Sequence, residues 1–362
     1  MSGPWLLNFL PYTPKHSGFS RYAQDLLPRL SGHRLCLGSG RERVVCSSDA
    51  PLLSTPPSSV RMRILQRLSL VQYGSNIREV VGRSPAADAI GVYSPYSDYI
   101  FSLGSLPQLI TCHDLTPLHF PSGIGSQLRY QYLIPAHLFA ANRVIAISEF
   151  VADQLLMLGL QEDRIRIIPN GIKIVREPLL RHGSWDWLVL ARHDRNKNLA
   201  QVIHGFAAFL RLRPDWPGCL KIVGRAGATT RELFGLVNRL DITQRVEFIS
   251  GVDDSVLVEI LRSAFALISP SLMEGFDYPV MEAKAEGLPT LVSDIPVHRE
   301  FHLGSSLFFS VDSGSGELAS KMNELSGDPR LWKQLSMTGF ALAQKFTLDG
   351  QASLLCAVFN EF

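Results

Sequence analysis

Short apolar runs alternate with amphipathic stretches along nearly the whole chain, and that rhythm restricts the fold more than any other feature. Apolar runs of four or five residues, separated by stretches long enough for a helix, predict parallel strands joined by crossover helices. In the first half the runs are 5–9, 89–93, 108–112, 143–147 and 164–168. In the second they are 187–191, 220–223, 246–249, 266–269 and 290–293. Helices are predicted over 22–30, after Ser148 as an N-cap, and over 199–212, 231–240, 255–263 and 279–285. Within 199–212, Val202, Ile203, Phe206, Phe209 and Leu210 fall at helical spacing and form a core face.

The series breaks once, at Pro169-Asn170-Gly171, and 172–184 has weak periodicity, which places a linker there. A chain of 362 residues exceeds one comfortable core. The expected fold is therefore α/β, with two Rossmann-like, doubly wound domains at 1–171 and 185–346. Two such domains facing each other would leave a cleft lined by the carboxyl ends of their strands, where ligands bind in sheets of this kind.

Charge and composition exclude several functions. A net charge of +2 argues against a dedicated nucleic-acid binder. Residues 1–170 carry 15 basic and 11 acidic side chains, and residues 171–362 carry 20 and 22. Much of the basic excess lies between Arg41 and Arg83. There Arg61, Arg63 and Arg67 interleave with Met62, Ile64, Leu65 and Leu68. As a helix this segment reads either as a peripheral contact with an anionic membrane or as a surface helix with solvated Arg tips. No run approaches the ~18 apolar residues of a membrane span. The five cysteines form no CxxC pair, which fits a reducing cytoplasm. No histidine cluster has metal-ligand spacing and no Asp-x-Asp triplet occurs, so no metal or other cofactor is expected.

Chemistry-bearing residues gather where apolar runs end. Glu274-Gly275-Phe276-Asp277-Tyr278-Pro279-Val280-Met281-Glu282-Ala283 follows the run ending Ser269-Pro270-Ser271 and opens a helix. Gly275 permits close backbone approach, and Pro279 suits the first helical turn. The N–H groups of that turn and the helix dipole form a natural anion seat. Glu274 and Glu282 add carboxylates able to accept hydrogen bonds from hydroxyls of a sugar and a ribose. Arg192 and Lys197 lie in the loop after the first run of the second half, two cations suited to a pyrophosphate, with Arg195 an exposed alternative. Gly224 follows the next run. In the first half, Gly18 lies in the loop Ser17-Gly18-Phe19-Ser20-Arg21-Tyr22, and Cys112-His113-Asp114-Leu115 ends a buried run.

Taken together, these motifs resemble those of the retaining GT-B glycosyltransferases of family 4, also called group 1. Glu274 and Glu282 match the E-x7-E signature, Arg192 and Lys197 the Arg-x4-Lys pair, and Cys112-His113-Asp114-Leu115 the His-Asp-Leu segment. The resemblance implies that His113 and Glu274 act at the donor sugar. Glu282 would hold the ribose, and Gly18, Arg192, Lys197, Gly224, Gly275 and Phe276 would bind the remainder of a nucleotide-diphosphate sugar. It also implies retention of anomeric configuration without a protein nucleophile or a metal, and a last segment, 347–362, returning to the N-terminal domain. The pairing of the Ser-Gly loop with His-Asp-Leu most resembles mannosyltransferases of polysaccharide biosynthesis. That implies GDP-mannose ahead of UDP-glucose, and a saccharide or lipid-linked saccharide as acceptor. A nucleotide-sugar 2-epimerase of related fold and a silent partner-binding subunit stay open as alternatives. The sequence departs from the family pattern at Asp277-Tyr278, where Gly-Leu is usual, and at Lys284, where Met is usual. Asp277 is expected as an extra carboxylate beside the donor pocket.

Overall fold

The computed structural model describes residues 3–9, 22, 24–39, 42–47, 88–97, 106–175, 177, 178 and 183–362. They form two compact units, one of Met1–Gly171 with Leu348–Phe362 and the other of Ile172–Thr347. The stretch 172–184, expected as a linker, is counted with the second unit. Ile172 N–H donates to the Phe346 carbonyl at 2.9 Å, and Ser184 N–H to the Ser263 carbonyl at 2.6 Å.

The first unit holds a seven-stranded sheet in the order β3-β2-β1-β4-β5-β6-β7. Its strands are β1 (Trp5–Phe9), β2 (Arg34–Ser39), β3 (Glu42–Ser47), β4 (Gly91–Ser94), β5 (Gln108–Cys112), β6 (Arg143–Ala146) and β7 (Ile165–Ile167). All pair in parallel except β3, which runs antiparallel to β2 at the sheet edge. The apolar runs do not predict β2 and β3, because their sequences mix charged and small residues among the apolar ones. Ser148 caps the helix Glu149–Met157, its Oγ accepting from Val151 N–H at 3.1 Å.

β1 is buried throughout, as a parallel strand covered on both faces must be. The helix Leu348–Phe359 supplies part of that cover. Ala352, Leu355, Val358 and Phe359 share one core with Trp5, Leu7, Tyr93 and Leu109. The Phe359 ring stacks on Trp5 at 4.6 Å and meets Tyr93 edge-on at 5.5 Å. Gln351 ties this helix to the Pro169-Asn170-Gly171 turn. It donates to Asn170 Oδ1 at 3.1 Å and accepts from Gly171 N–H at 2.9 Å. Two ion pairs, Arg29 with Asp349 and Arg166 with Glu361, flank the contact.

The second unit is a six-stranded, wholly parallel sheet in the order β10-β9-β8-β11-β12-β13. These are β8 (Trp187–Leu190), β9 (Leu220–Val223), β10 (Val246–Ile249), β11 (Ala266–Ser269), β12 (Thr290–Ser293) and β13 (Leu307–Phe309). The predicted apolar runs of this half all become strands. From β8 the chain winds outward through β9 and β10, returns to β11 on the other side, and winds outward again. The loops leaving β8 and β11 therefore diverge and open a crevice between them, the position at which ligands bind in such sheets. In the first unit β1 and β4 stand in the same relation.

Among the described residues no helix is long and apolar enough to cross a membrane. The segment with Arg61, Arg63 and Arg67 lies outside the described residues, as does Gly18.

Because Phe359 fills the space over Trp5, Phe359→Ala should destabilise the first unit by about 3–5 kcal/mol. Denaturant unfolding checks this. A loss below about 1 kcal/mol would show that the helix adds little to this core.

Candidate functional site

In the second unit the crevice between β8 and β11 is bridged by one charge pair. Lys197 lies in the short 3-10 turn Arg195–Lys197 after β8, and its ammonium contacts the Glu274 carboxylate in the loop after β11. The two side chains are only 18% and 14% exposed. Leu272 N–H donates to the Asn196 carbonyl at 2.8 Å, so backbone joins the same two loops. Ser271 Oγ donates to Glu274 Oε1 at 2.6 Å. Asn198, which ends the turn, takes a left-handed φ of 47°, a conformation that asparagine tolerates.

Two carboxylates influence this one ammonium, and their environments separate them. Burial pushes the Glu274 carboxyl above its ordinary range, and the negative charge of Asp277 adds to that against the pull of Lys197. Burial also acts to raise Asp277. The hydrogen bond and charge of His298, with Lys197 and Ser269, outweigh it and hold Asp277 at about 2. Burial disfavours the Lys197 ammonium, but Glu274 and Asp277 outweigh it and hold its pKa above the ordinary lysine value. Lys197 is thus a partly buried cation that stays charged.

Arg192 differs from its neighbour. Its side chain is 63% exposed and pairs with Asp194 at 3.1 Å, leaving it accessible to an anion from solution. His193, next to it, is a buried tie that the sequence does not single out. Its N–H donates to the Arg225 carbonyl at 3.1 Å, its carbonyl accepts from Thr229 Oγ1 at 2.8 Å, and its Nδ1 lies 3.1 Å from Thr230 Oγ1. The loops after β8 and β9 are thereby joined as well. Gly224 has a steric reason for being glycine. A Cβ there would stand 1.9 Å from the Ala191 carbonyl oxygen, so the strand ends could not close.

The loop after β11 leads into the helix Tyr278–Ala285. Gly275 is buried in it, and Glu282 is half-buried on the second turn of the helix. The Phe276 ring is 2% exposed and packs edge-on against Tyr278, Phe301 and Phe346, with centroids 5.1–6.0 Å apart. As a side chain Phe276 anchors the loop, and only its backbone can meet a ligand. Asp277 also departs from expectation. Its carboxylate does not line an open pocket but turns inward, accepting from Ser269 Oγ at 2.5 Å and from His298 Nε2 at 2.9 Å. Its φ of 61° is left-handed, a conformation that costs a non-glycine residue of order 1–2 kcal/mol.

In the first unit His113 follows β5. Its Nε2 lies 2.9 Å from the Pro95 carbonyl in the loop after β4, and its ring meets Tyr22 edge-on at 5.0 Å. Burial lowers its pKa, the Pro95 carbonyl and Asp114 pulling weakly the other way, so the ring is neutral near pH 7. A carbonyl can only accept, which puts the single ring proton on Nε2 and leaves Nδ1 as an acceptor. Asp114 does not orient the ring, because Asp114 Oδ1 accepts from Thr116 N–H at 3.0 Å. Beneath lies a buried hydroxyl chain, Tyr22 to Tyr93 at 2.8 Å and Tyr93 to Thr111 at 2.9 Å.

Comparison with known proteins adds to this geometry. Residues 17–176 match the profile of Glycosyltransferase Family 4, and residues 172–339 that of Glycosyl transferases group 1. The O-antigen chain mannosyltransferase RfbU of Salmonella typhimurium is 26% identical over 206 residues, 57% of each chain. The GDP-mannose:cellobiosyl-diphosphopolyprenol alpha-mannosyltransferase of Xanthomonas campestris is 27% identical over 173 residues, 47% of this chain and 45% of that one. The matched region thus spans little more than half of RfbU, and 29% of the Escherichia coli mannosyltransferase WbdA. Among solved structures, the sucrose-phosphate synthase of Thermosynechococcus elongatus aligns over 99% of this chain and 98% of its own, with a TM-score of 0.76 and 18% identity. The Anabaena HepE protein, solved with UDP and glucose, aligns over 100% of both chains, with a TM-score of 0.72 and 16% identity. These structural likenesses show a shared fold.

Behind the site, Lys284 is fully buried, its Nζ donating to Ser305 Oγ at 2.5 Å and to the Ser305 carbonyl at 3.0 Å. Burial pushes this amine well below the ordinary lysine value. The folded state therefore holds the proton less tightly than the unfolded chain. The group's contribution to stability is full above the unfolded pKa of about 10.4 and is lost as pH falls through the depressed folded value. Lys284→Met should stabilise the protein at pH 7 by about 1–3 kcal/mol and flatten this pH dependence. Chemical melts near pH 7 and pH 10 would show it, and equal stability at both in the wild type would refute the assignment.

Proposed function

The chain belongs to the group 1, family 4 glycosyl transferases, and we propose that it moves a hexose from a nucleotide-diphosphate sugar to a saccharide acceptor, retaining anomeric configuration without a divalent metal. The observation that carries this reading is the Lys197–Glu274 pair across the crevice between β8 and β11. It sets a protected cation beside a carboxylate and next to a helix N-terminus, the elements needed to seat a diphosphate and grip a sugar hydroxyl.

The roles divide by charge and exposure. Lys197, with accessible Arg192, meets the diphosphate, whose negative charge grows as the bond from the sugar C1 to the phosphate oxygen breaks. The N-terminal turn of Tyr278–Ala285, with Gly275 and the Phe276 backbone, adds N–H donors. Glu274 accepts from donor-sugar hydroxyls and Glu282 from the ribose diol, while Gly224 keeps the adjoining strand ends close. On the first unit, neutral His113 offers Nδ1 as an acceptor to the sugar. The acceptor hydroxyl attacks C1 on the face the leaving group vacates, and its proton passes to the departing phosphate oxygen. Two local cations supply the electrostatic role that a metal fills elsewhere.

GDP-mannose is the first donor to test, since several relatives are named as mannosyltransferases, with UDP-glucose the second. The Xanthomonas relative acts on a polyprenol-linked acceptor, which favours a lipid-linked saccharide here.

Arg192→Ala should lose about 1.5–3 kcal/mol of donor binding, roughly tenfold or more in Kd, with the fold intact. Titration calorimetry with the nucleoside diphosphate measures this, and an unchanged Kd would remove Arg192 from the site. Nucleoside diphosphate release should persist in excess EDTA. Activity abolished by EDTA and restored only by magnesium or manganese would overturn metal independence. Neither binding nor turnover with any nucleotide sugar would overturn the whole reading.

A further inference from the structure

A ring of hydrogen bonds closes around the neck of the loop that carries Glu274. Ser269, the last residue of β11, and Asp277, at the start of the following helix, are joined at 2.5 Å. Asp277 also accepts from His298 Nε2 at 2.9 Å, on the helix Pro296–His302. His298 Nδ1 faces the Ser293 carbonyl at 2.8 Å, at the end of β12. Ser293 Oγ donates to the Ser271 carbonyl at 2.5 Å, and Ser271 Oγ to Glu274 at 2.6 Å. A continuous line of bonds thus runs from a buried imidazole to the Glu274 carboxylate.

We infer that Asp277 and His298 are positioning residues for sugar transfer, holding the 270–276 loop so that Glu274 and Lys197 are aimed at the donor. This rests on the glycosyltransferase reading above. Three observations carry it. First, Asp277 stands at a left-handed φ of 61°, where glycine would sit without strain, so the strained residue is one whose carboxylate makes bonds that glycine cannot. Second, that carboxylate is 2% exposed and His298 is wholly buried, so neither side chain is presented to a ligand. Third, His298 has a carbonyl on one side and a carboxylate on the other. One ring thereby bridges the end of β12 and the start of the helix that follows the Glu274 loop. The ring and the carboxylate fix three chain segments at one point. His302 stands behind His298 at 5.6 Å between ring centres, and the charge of Lys197 reaches Asp277 from the front.

Two substitutions separate positioning from bulk stability. Asp277→Gly relieves the backbone strain and deletes the bonds to Ser269 and His298. Asp277→Asn can rebuild them, its amide oxygen taking the place of Asp277 Oδ2 and accepting from both Ser269 Oγ and His298 Nε2. Loops misplaced by a fraction of an ångström lose rate before they lose affinity. For D277G, kcat should therefore fall by about tenfold or more, while the Kd for the nucleoside diphosphate stays within about threefold. D277N should recover at least about a third of the wild-type kcat. If D277G does not fold, Ser269→Ala removes one bond of the ring and should lower kcat by about threefold with the protein still folded and the nucleoside diphosphate Kd within about threefold. A D277G enzyme with wild-type kcat, equal losses in D277G and D277N, or a Kd that weakens in step with kcat would each overturn the positioning role. Wild-type protein inactive on every nucleotide sugar would instead overturn the reading beneath it.

Discussion

The second unit is organised around a cation and a carboxylate removed together from water. Topology drives the loops after β8 and β11 apart, and the Lys197–Glu274 pair draws them back across the gap. Burying either charge alone would be strongly unfavourable, so each holds the other in place. The surrounding bonds keep that arrangement rigid. Asn196 takes the Leu272 amide, Ser271 steadies Glu274, and His193 ties the loop to its neighbour after β9. At rest the pair is neutralised from within, and under the proposed function an arriving diphosphate would compete with Glu274 for a cation already in position.

The first unit prepares its residue differently, through a proton rather than a charge. Buried His113 gives its one proton to a backbone carbonyl and keeps a lone pair. Tyr22 and Tyr93 beneath it are bonded to one another, and burial drives the Tyr93 phenol up to about 12. Tyr93 therefore stays a neutral phenol near pH 7. Burial thus prevails over the partners of His113, whereas at Lys197 the partner carboxylates prevail over burial.

The parallel architecture was legible because buried strands and crossover helices leave a strong periodic trace. Strands β2 and β3 left none, since charged and small residues interrupt their apolar positions. The motif residues could be named from spacing, but spacing does not report burial. Arg192 and Lys197 look alike in one loop, yet one is open to solvent and the other sealed against a carboxylate. Phe276 reads as part of a binding motif, while its ring belongs to the core. The partnership of Asp277 with His298 spans 21 residues, and only the packing of one helix against the next brings the two together. Gly224 was visible as a glycine, though not the carbonyl oxygen that forbids anything larger.

The first unit is discontinuous, with its core completed by Ala352, Leu355, Val358 and Phe359. During synthesis, then, Trp5 and its neighbours emerge from the ribosome long before the helix that covers them. The second unit is one uninterrupted stretch and can finish folding first. The older half must wait with an open apolar face until Phe359 is released. The half translated first is therefore the one whose core needs the last-made helix, while the half translated second carries its core within itself.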